Sequence, residues 1–177
     1  RSRKQKLFYG NDYVIETYKS FKSKYSLRLY EQCFSQTNPE ICDKMLSWVE
    51  KNLIFSDDDV VELHCGLGTF TMLLSKIFRK VLATENSRPS FAGLKENLRL
   101  NKCFNVNVAR LSGHETLQAI SNERSFNRLG GIDISEFKFN TIFLDPPREG
   151  LDESTLSYLN RFDRVIYLSC GCLLYTS

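Results

Sequence analysis

Apolar residues fall into two alternating rhythms along this chain. Phe104 to Ala109 reads as a strand, and Val60-Val61-Glu62-Leu63, Lys80-Val81-Leu82-Ala83-Thr84, Thr141-Ile142-Phe143-Leu144 and Val165-Ile166-Tyr167-Leu168 are short, nearly continuous runs. Strands covered on both faces of a parallel sheet read this way. Between them the spacing is helical: Phe70, Leu73, Leu74, Ile77 and Phe78 form one stripe, and Phe91, Leu94 and Leu98 another, between Arg88-Pro89 and Asn101. Shorter helices are predicted over His114 to Ser121 and Asp152 to Asn160. Strand and helix alternate five times, which predicts an α/β fold with a doubly wound, mostly parallel sheet.

Ahead of this alternation, Tyr13-Val14-Ile15 and Tyr25 to Tyr30 read as short strands. Asn38 is placed to cap a helix with Pro39 at its first position. Ile41, Met45, Trp48, Val49 and Leu53 then predict a stripe packed on the sheet, ending at a turn over Ser56-Asp57-Asp58-Asp59. The polar connection from Asn122 to Asn140, with Gly130-Gly131, exceeds the usual two to six or so residues of such loops and is expected to be a surface insertion.

Composition narrows the class. With 42% hydrophobic and 25% charged residues among 177, the chain reads as one soluble domain large enough to bury a core. No apolar run approaches the roughly 18 to 20 residues of a membrane span and no signal peptide opens the chain. The expectation is a cytoplasmic monomer without membrane association. The six cysteines form no C-x-x-C pair, so neither a zinc site nor a disulfide framework is expected, and no metal. The net charge of +3 is unevenly spread: eight Lys or Arg stand against Asp12 and Glu16 in residues 1–28, leaving the remainder net acidic. A basic flank suits a polyanion such as RNA. A solvated chain end accounts for it equally well.

The candidate chemistry lies at strand ends, where open α/β sheets bind ligands. Glu62-Leu63-His64-Cys65-Gly66-Leu67-Gly68-Thr69-Phe70 is a strand breaking into a Gly-x-Gly loop before a helix. Gly66 and Gly68 suit a turn that needs unusual backbone angles and a ligand that approaches the backbone closely. The next strand ends in Glu85, where a carboxylate can accept both ribose hydroxyls of a nucleoside. Thr71 fills the third glycine position of the dinucleotide fingerprint, so an adenosine ligand without pyrophosphate, S-adenosylmethionine, fits better than NAD. An ordinary βαβ turn with a chance acid is the alternative. Asp145-Pro146-Pro147 and Ser169-Cys170 each follow a strand, which would bring Asp145 and Cys170 to one crevice. By composition alone Cys170 is a small core thiol and Asp145-Pro146-Pro147 a rigid strand exit. Gln36 is either a loop residue or a ligand contact.

These segments, with Phe34-Ser35-Gln36, Ala83-Thr84-Glu85, Phe126-Asn127-Arg128-Leu129, Gly131-Ile132-Asp133 and Asp145 through Asp152, resemble the RNA uracil-5-methyltransferases over residues 5–170. The 126–133 stretch looks like the tRNA branch of that family. The resemblance implies a Rossmann-like, class I S-adenosylmethionine-dependent fold, incomplete at both ends. It places Gln36, His64, Gly66, Gly68, Thr69, Glu85 and Asp145 at S-adenosyl-L-methionine and makes Cys170 the nucleophile. The implied reaction methylates C5 of a T-loop uridine in tRNA. A thiolate adds to C6, C5 takes the methyl group, and a base then removes the C5 proton so the thiolate can leave. The target base must be flipped out of its stack. The alternatives are the same chemistry on 23S rRNA, or a non-catalytic RNA-binding module.

The departures are His64 where the family usually has Tyr, Leu67 and Thr69 where it often has Asn, and Gly171-Cys172 where it has Asn-Pro. Residues 1–33 are expected to be the tail of an RNA-binding region and 34–171 the donor-binding catalytic domain. Residues 172–177 are expected to be a non-native tail, since they match one reading frame of a DNA-library adaptor. The chain lacks an initial Met and the family's downstream Glu motif. The expectation is a fragment without its general base, and therefore inactive alone.

Overall fold

The first regular element is a hairpin. In the computed structural model, which describes residues 10–53 and 56–169, β1 (Tyr13–Lys19) pairs antiparallel with β2 (Lys24–Tyr30) in register from Tyr13↔Tyr30 to Lys19↔Lys24. Both strands run longer than the sequence pattern suggested. Tyr18, Tyr25 and Leu27 are buried in the main core. The hairpin therefore packs as part of the domain's first layer.

Helix α1 (Pro39–Asn52) starts as predicted: the Asn38 side chain accepts from the Ile41 N–H at 3.1 Å, with proline in the first turn. Its buried face is different. Cys42, Leu46 and Val49 face the core, whereas Ile41 is 49% and Trp48 55% exposed. Cys42, Leu46, Val49 and Leu53 are themselves an i, i+4, i+7, i+11 stripe, and they cluster with Tyr18, Tyr25 and Leu27 of the hairpin.

Strand β3 (Ser56–Leu63) begins where a turn was predicted. Asp59 is fully buried there, accepting from Arg79 Nη2 at 2.5 Å and from the Lys138 N–H at 2.7 Å. A paired carboxylate can occupy a strand that an unpaired one would break. A register shift between Ser56 and Asp59 accommodates it.

The remaining order is α2 (Thr71–Ile77), β4 (Phe78–Thr84), α3 (Arg88–Leu100), β5 (Val106–Ala109), α4 (Gly113–Ile120), β6 (Phe139–Leu144), α5 (Glu153–Leu156) and β7 (Arg164–Tyr167). Ser87 caps α3, and Ser112 with Glu115 forms a reciprocal capping box on α4. The expected helix over 152–160 shortens to α5 plus a 3-10 turn over Leu159–Arg161. Its Ser, Thr and Asn content gives it little intrinsic helicity.

Strands β3 to β7 form a five-stranded parallel sheet in the order β5-β4-β3-β6-β7. Alternation along β3 sends Val60 and Glu62 toward α1, α2 and α3, and Val61 and Leu63 toward α4. The sheet is thus covered on both faces, the doubly wound arrangement the periodicity predicted. The 122–140 connection is more than a surface insertion. Ile132, Ile134, Phe137 and Phe139 pack against the second core, and Arg128 bonds Glu115 and the Arg110 carbonyl. Among the described residues no helix is long and apolar enough to cross a membrane.

Candidate functional site

Strand order reverses between β3 and β6. The chain winds outward through β4 and β5, then returns to lay β6 on the other side of β3. At such a reversal the loops leaving the strand ends diverge and open a crevice. Three acidic residues converge on it: Glu85 follows β4, Asp145 follows β6, and Glu62 is the penultimate residue of β3.

The glycine loop leaves β3 through an unusual backbone. His64, Gly66 and Gly68 all have positive φ, at 60°, 57° and 95°. The two glycines serve different ends. A Cβ on Gly68 would lie 2.7 Å from Leu94 Cδ1 and 2.9 Å from Met72 Cε, so this glycine lets α3 and α2 close on the loop. A Cβ on Gly66 would meet nothing within 4 Å. Gly66 therefore supplies backbone conformation while its outer side stays open. Its N–H donates to Glu85 Oε2 at 3.0 Å, and Glu85 Oε1 accepts from the Ser87 N–H at 2.7 Å. That carboxylate is held in place by two backbone donors, as an acceptor for hydroxyls must be.

The loop is braced from behind. Tyr25 donates its hydroxyl to the Thr69 carbonyl at 2.5 Å. The fully buried Asn97 of α3 donates to the Leu67 carbonyl at 3.0 Å and exchanges bonds with the Arg28 backbone.

Burial sets the electrostatics. Asp145 is pushed up to about 6 by desolvation. Glu62, fully buried, is pushed up to about 8, with desolvation first, the Thr71 hydroxyl bond at 2.6 Å opposing, and the charges of Asp145 and Glu85 adding. None of the ion pairs among the described residues involves these three acids. His64 is held below the usual histidine range by burial, against the pull of Glu85 and Asp152. It lies beside the start of α4, where a Cβ on Gly113 would be 3.3 Å from His64 Nε2. Cys42 of α1 is pushed up to about 12 by burial, with Asp43 and Asp145 adding, which disfavours its thiolate.

The structure thus brings His64, Gly66, Gly68, Thr69, Glu85 and Asp145 to one end of the sheet. Gln36 stands half-buried in the loop between β2 and α1. In the same loop, burial pushes the Cys33 thiol up, with the Ser90 side chain opposing and the Glu85 charge adding. Cys170 lies outside the described residues. The chain leading to it is placed: Leu144 pairs with Tyr167, and the Leu168 N–H donates to the Leu144 carbonyl at 2.9 Å. Residues 168 and 145 therefore leave adjacent strands side by side. Two contributors escaped sequence reasoning. Glu62 served there only as the start of a motif, and Thr71 as the residue replacing a glycine. The available signal was an acid inside an otherwise apolar strand, which is rare unless it has a partner or a task.

Known proteins resemble this chain in sequence and in fold. A family model described as tRNA (Uracil-5-)-methyltransferase matches residues 1–174. The tRNA/tmRNA (uracil-C(5))-methyltransferase of Neisseria meningitidis is 44% identical over 173 residues, covering 97% of this chain and 48% of the relative. The protein of the same description from Saccharophagus degradans is 43% identical over 171 residues, covering 97% and 47%. The chain spans about half the length of the curated relatives it matches. Among solved structures, the Pyrococcus abyssi tRNA (uracil-54, C5)-methyltransferase in complex with S-adenosyl-L-homocysteine superposes with a TM-score of 0.66 at 20% identity, over 96% of this chain and 39% of that one. At that identity the likeness speaks for the fold, a Rossmann-like class I methyltransferase domain.

Proposed function

Because this chain belongs to the tRNA (uracil-5-)-methyltransferase family, we propose that it carries the donor site of an enzyme that methylates C5 of a T-loop uridine in tRNA. The observation that carries this reading is the carboxylate corner. Glu85 is fixed by the Gly66 and Ser87 amides beside an open glycine, with Asp145 and Glu62 close by and no ion pair among them. S-adenosyl-L-methionine has ribose hydroxyls, a sulfonium and an ammonium, and the residues present suit it. Glu85 would accept the hydroxyls, Gly66 and Gly68 leave the backbone approachable, and Asp145 and Glu62 put negative charge near cationic groups. Gln36, His64 and Thr69 would complete the lining. When bound, the donor supplies the electrophilic methyl group.

The chain's own reactive group is Cys170. Its thiolate would add to C6 of the flipped uracil, raising electron density at C5, and would depart once C5 has lost its proton. The β6–β7 register supports this role by sending both strand exits toward the same crevice. The basic residues of 1–28 suit the RNA backbone. Residues 1–33 would belong to the RNA-binding part, with the hairpin docked on the core of the donor-binding catalytic domain of 34–171. The relatives' description favours tRNA over ribosomal RNA as substrate.

Calorimetry with S-adenosylhomocysteine tests the donor site. Glu85→Ala should bind at least about tenfold more weakly, the loss of a charge-assisted hydroxyl contact worth about 1.5 to 3 kcal/mol; equal binding by both proteins would remove Glu85 from the site. For the nucleophile, RNA containing 5-fluorouridine should form a stable covalent adduct in the presence of the donor. An adduct that persists in Cys170→Ser would defeat that assignment.

A further inference from the structure

The turn of the hairpin and the outer side of α1 form one surface on which positive charge goes unanswered. Lys19 and Lys24 stand directly opposite each other across β1 and β2. Like charges in that position repel. Lys22 lies in the turn between them, and Lys44 and Lys51 on α1; all five lysines are exposed, and none enters an ion pair among the described residues. The nearby acids are occupied with backbone. Asp43 accepts from the Lys19 N–H at 2.7 Å, and Glu50 accepts from the Lys22 N–H at 2.7 Å and the Ser23 hydroxyl at 2.8 Å. These bonds hold the turn against α1. With Glu40 as the remaining acid, five lysines against three carboxylates leave the surface positive.

Aromatic rings lie among these cations. Phe21 in the turn is 66% exposed and Trp48 of α1 is 55% exposed. Lys51 Nζ sits over the Phe21 ring, 5.2 Å from its centre. Beside Trp48 the surface opens into a depression lined by Glu40, Asp43, Lys44, Ser47, Trp48 and Lys51. Core packing accounts for neither ring, since the buried face of α1 is Cys42, Leu46 and Val49. Lysines interleaved with exposed rings suit looped or single-stranded nucleic acid, where ammonium groups neutralise phosphates and rings stack on bases. A second copy of this chain, meeting the face symmetrically, would bring the same lysines to the contact and repel.

We propose that this surface docks RNA outside the crevice, with the lysines on phosphates and an unpaired base stacked on Trp48. The inference rests on the reading that the chain acts on tRNA and gives that RNA a second point of attachment. Trp48 lies about 15 Å along α1 from the Asn38 cap, where the chain leaves the Gln36 loop. At about 3.4 Å per stacked nucleotide, that is about four or five steps of RNA away from the loop.

Trp48 is the chain's sole tryptophan, so its emission reads the surface directly. Titrating the full chain with a tRNA transcript at about 50 mM salt should quench that emission in step with binding followed by anisotropy of labelled RNA, and should shield Trp48 from acrylamide. Lys19→Gln with Lys24→Gln should weaken binding and lower the slope of log affinity against log salt by about 1.4 to 1.8. Trp48→Ala should weaken binding about tenfold with that slope unchanged, and Trp48→Phe should restore most of it. Thermal midpoints and S-adenosylhomocysteine binding should match the parent in every variant. RNA binding that leaves Trp48 emission and acrylamide access unchanged, or that Trp48→Ala does not weaken, would overturn the proposal and leave the tRNA reading standing. Shielding of Trp48 before RNA is added would assign the face to protein instead, to a second copy where the shielding grows with concentration. Failure to bind tRNA at any salt would remove both readings.

Discussion

At the scale of single residues, the two glycines of the loop separate packing from access. Gly68→Ala would force a Cβ against Leu94 and Met72 at a backbone angle of +95°, and should cost about 2 kcal/mol or more of stability by urea denaturation. Gly66→Ala meets no neighbour and should cost about 1 kcal/mol from its angle alone, with its larger effect on ligand affinity. Equal stability losses in the two variants would sink the distinction. Sequence reading found both glycines because a Gly-x-Gly between a strand and a helix is visible. It could not apportion their roles, since Leu94 comes into play only when α3 folds back. Glu62 was hidden for the same reason: its neighbours Thr71, Glu85 and Asp145 converge only in the sheet.

At the scale of elements, most helices and strands were legible from periodicity, and the failures have physical causes. The buried face of α1 was misread because two overlapping stripes compete on one helix, and only the hairpin decides between them. The start of β3 was misread because Ser-Asp-Asp-Asp looks like a turn until Arg79 and the Lys138 amide are found holding Asp59. The core contribution of 132–139 was missed because four apolar residues are diluted among polar ones. Elements are also tied by single side chains. Asn97→Ala would strand the Leu67 carbonyl and both Arg28 backbone groups, and should cost about 3 kcal/mol, read from the midpoint of a urea titration. A loss below about 1 kcal/mol would mean that the Asn101–Ser26 backbone bonds, the Arg28–Glu96 pair and apolar contact hold the hairpin to α3 without Asn97.

At the scale of the whole molecule, buried acids make stability depend on pH in the less common direction. Glu62 and Asp145 ordinarily ionise near 4.5 and 3.8, and the fold raises them to about 8 and about 6. The folded state therefore favours their neutral forms. Their contribution is fully present below about pH 4, and is lost as pH rises through about 6 for Asp145 and about 8 for Glu62. Without ligand, the thermal midpoint should fall between pH 5 and pH 8.5, with a contribution on the order of several kcal/mol. Glu62→Gln should flatten the upper part of that fall; a parent midpoint that rises over the same range would contradict the assignment.

Asn97 reaches from one helix to both the ligand loop and the hairpin, and this has a spectroscopic consequence. The Arg28 amide is bonded to the same carboxamide that holds the Leu67 carbonyl. Opening the hairpin at Arg28 and loosening the loop at Leu67 are thus one event as seen from Asn97. A ligand that quiets the loop should slow hydrogen–deuterium exchange at Arg28, on a strand that carries none of the site's side chains.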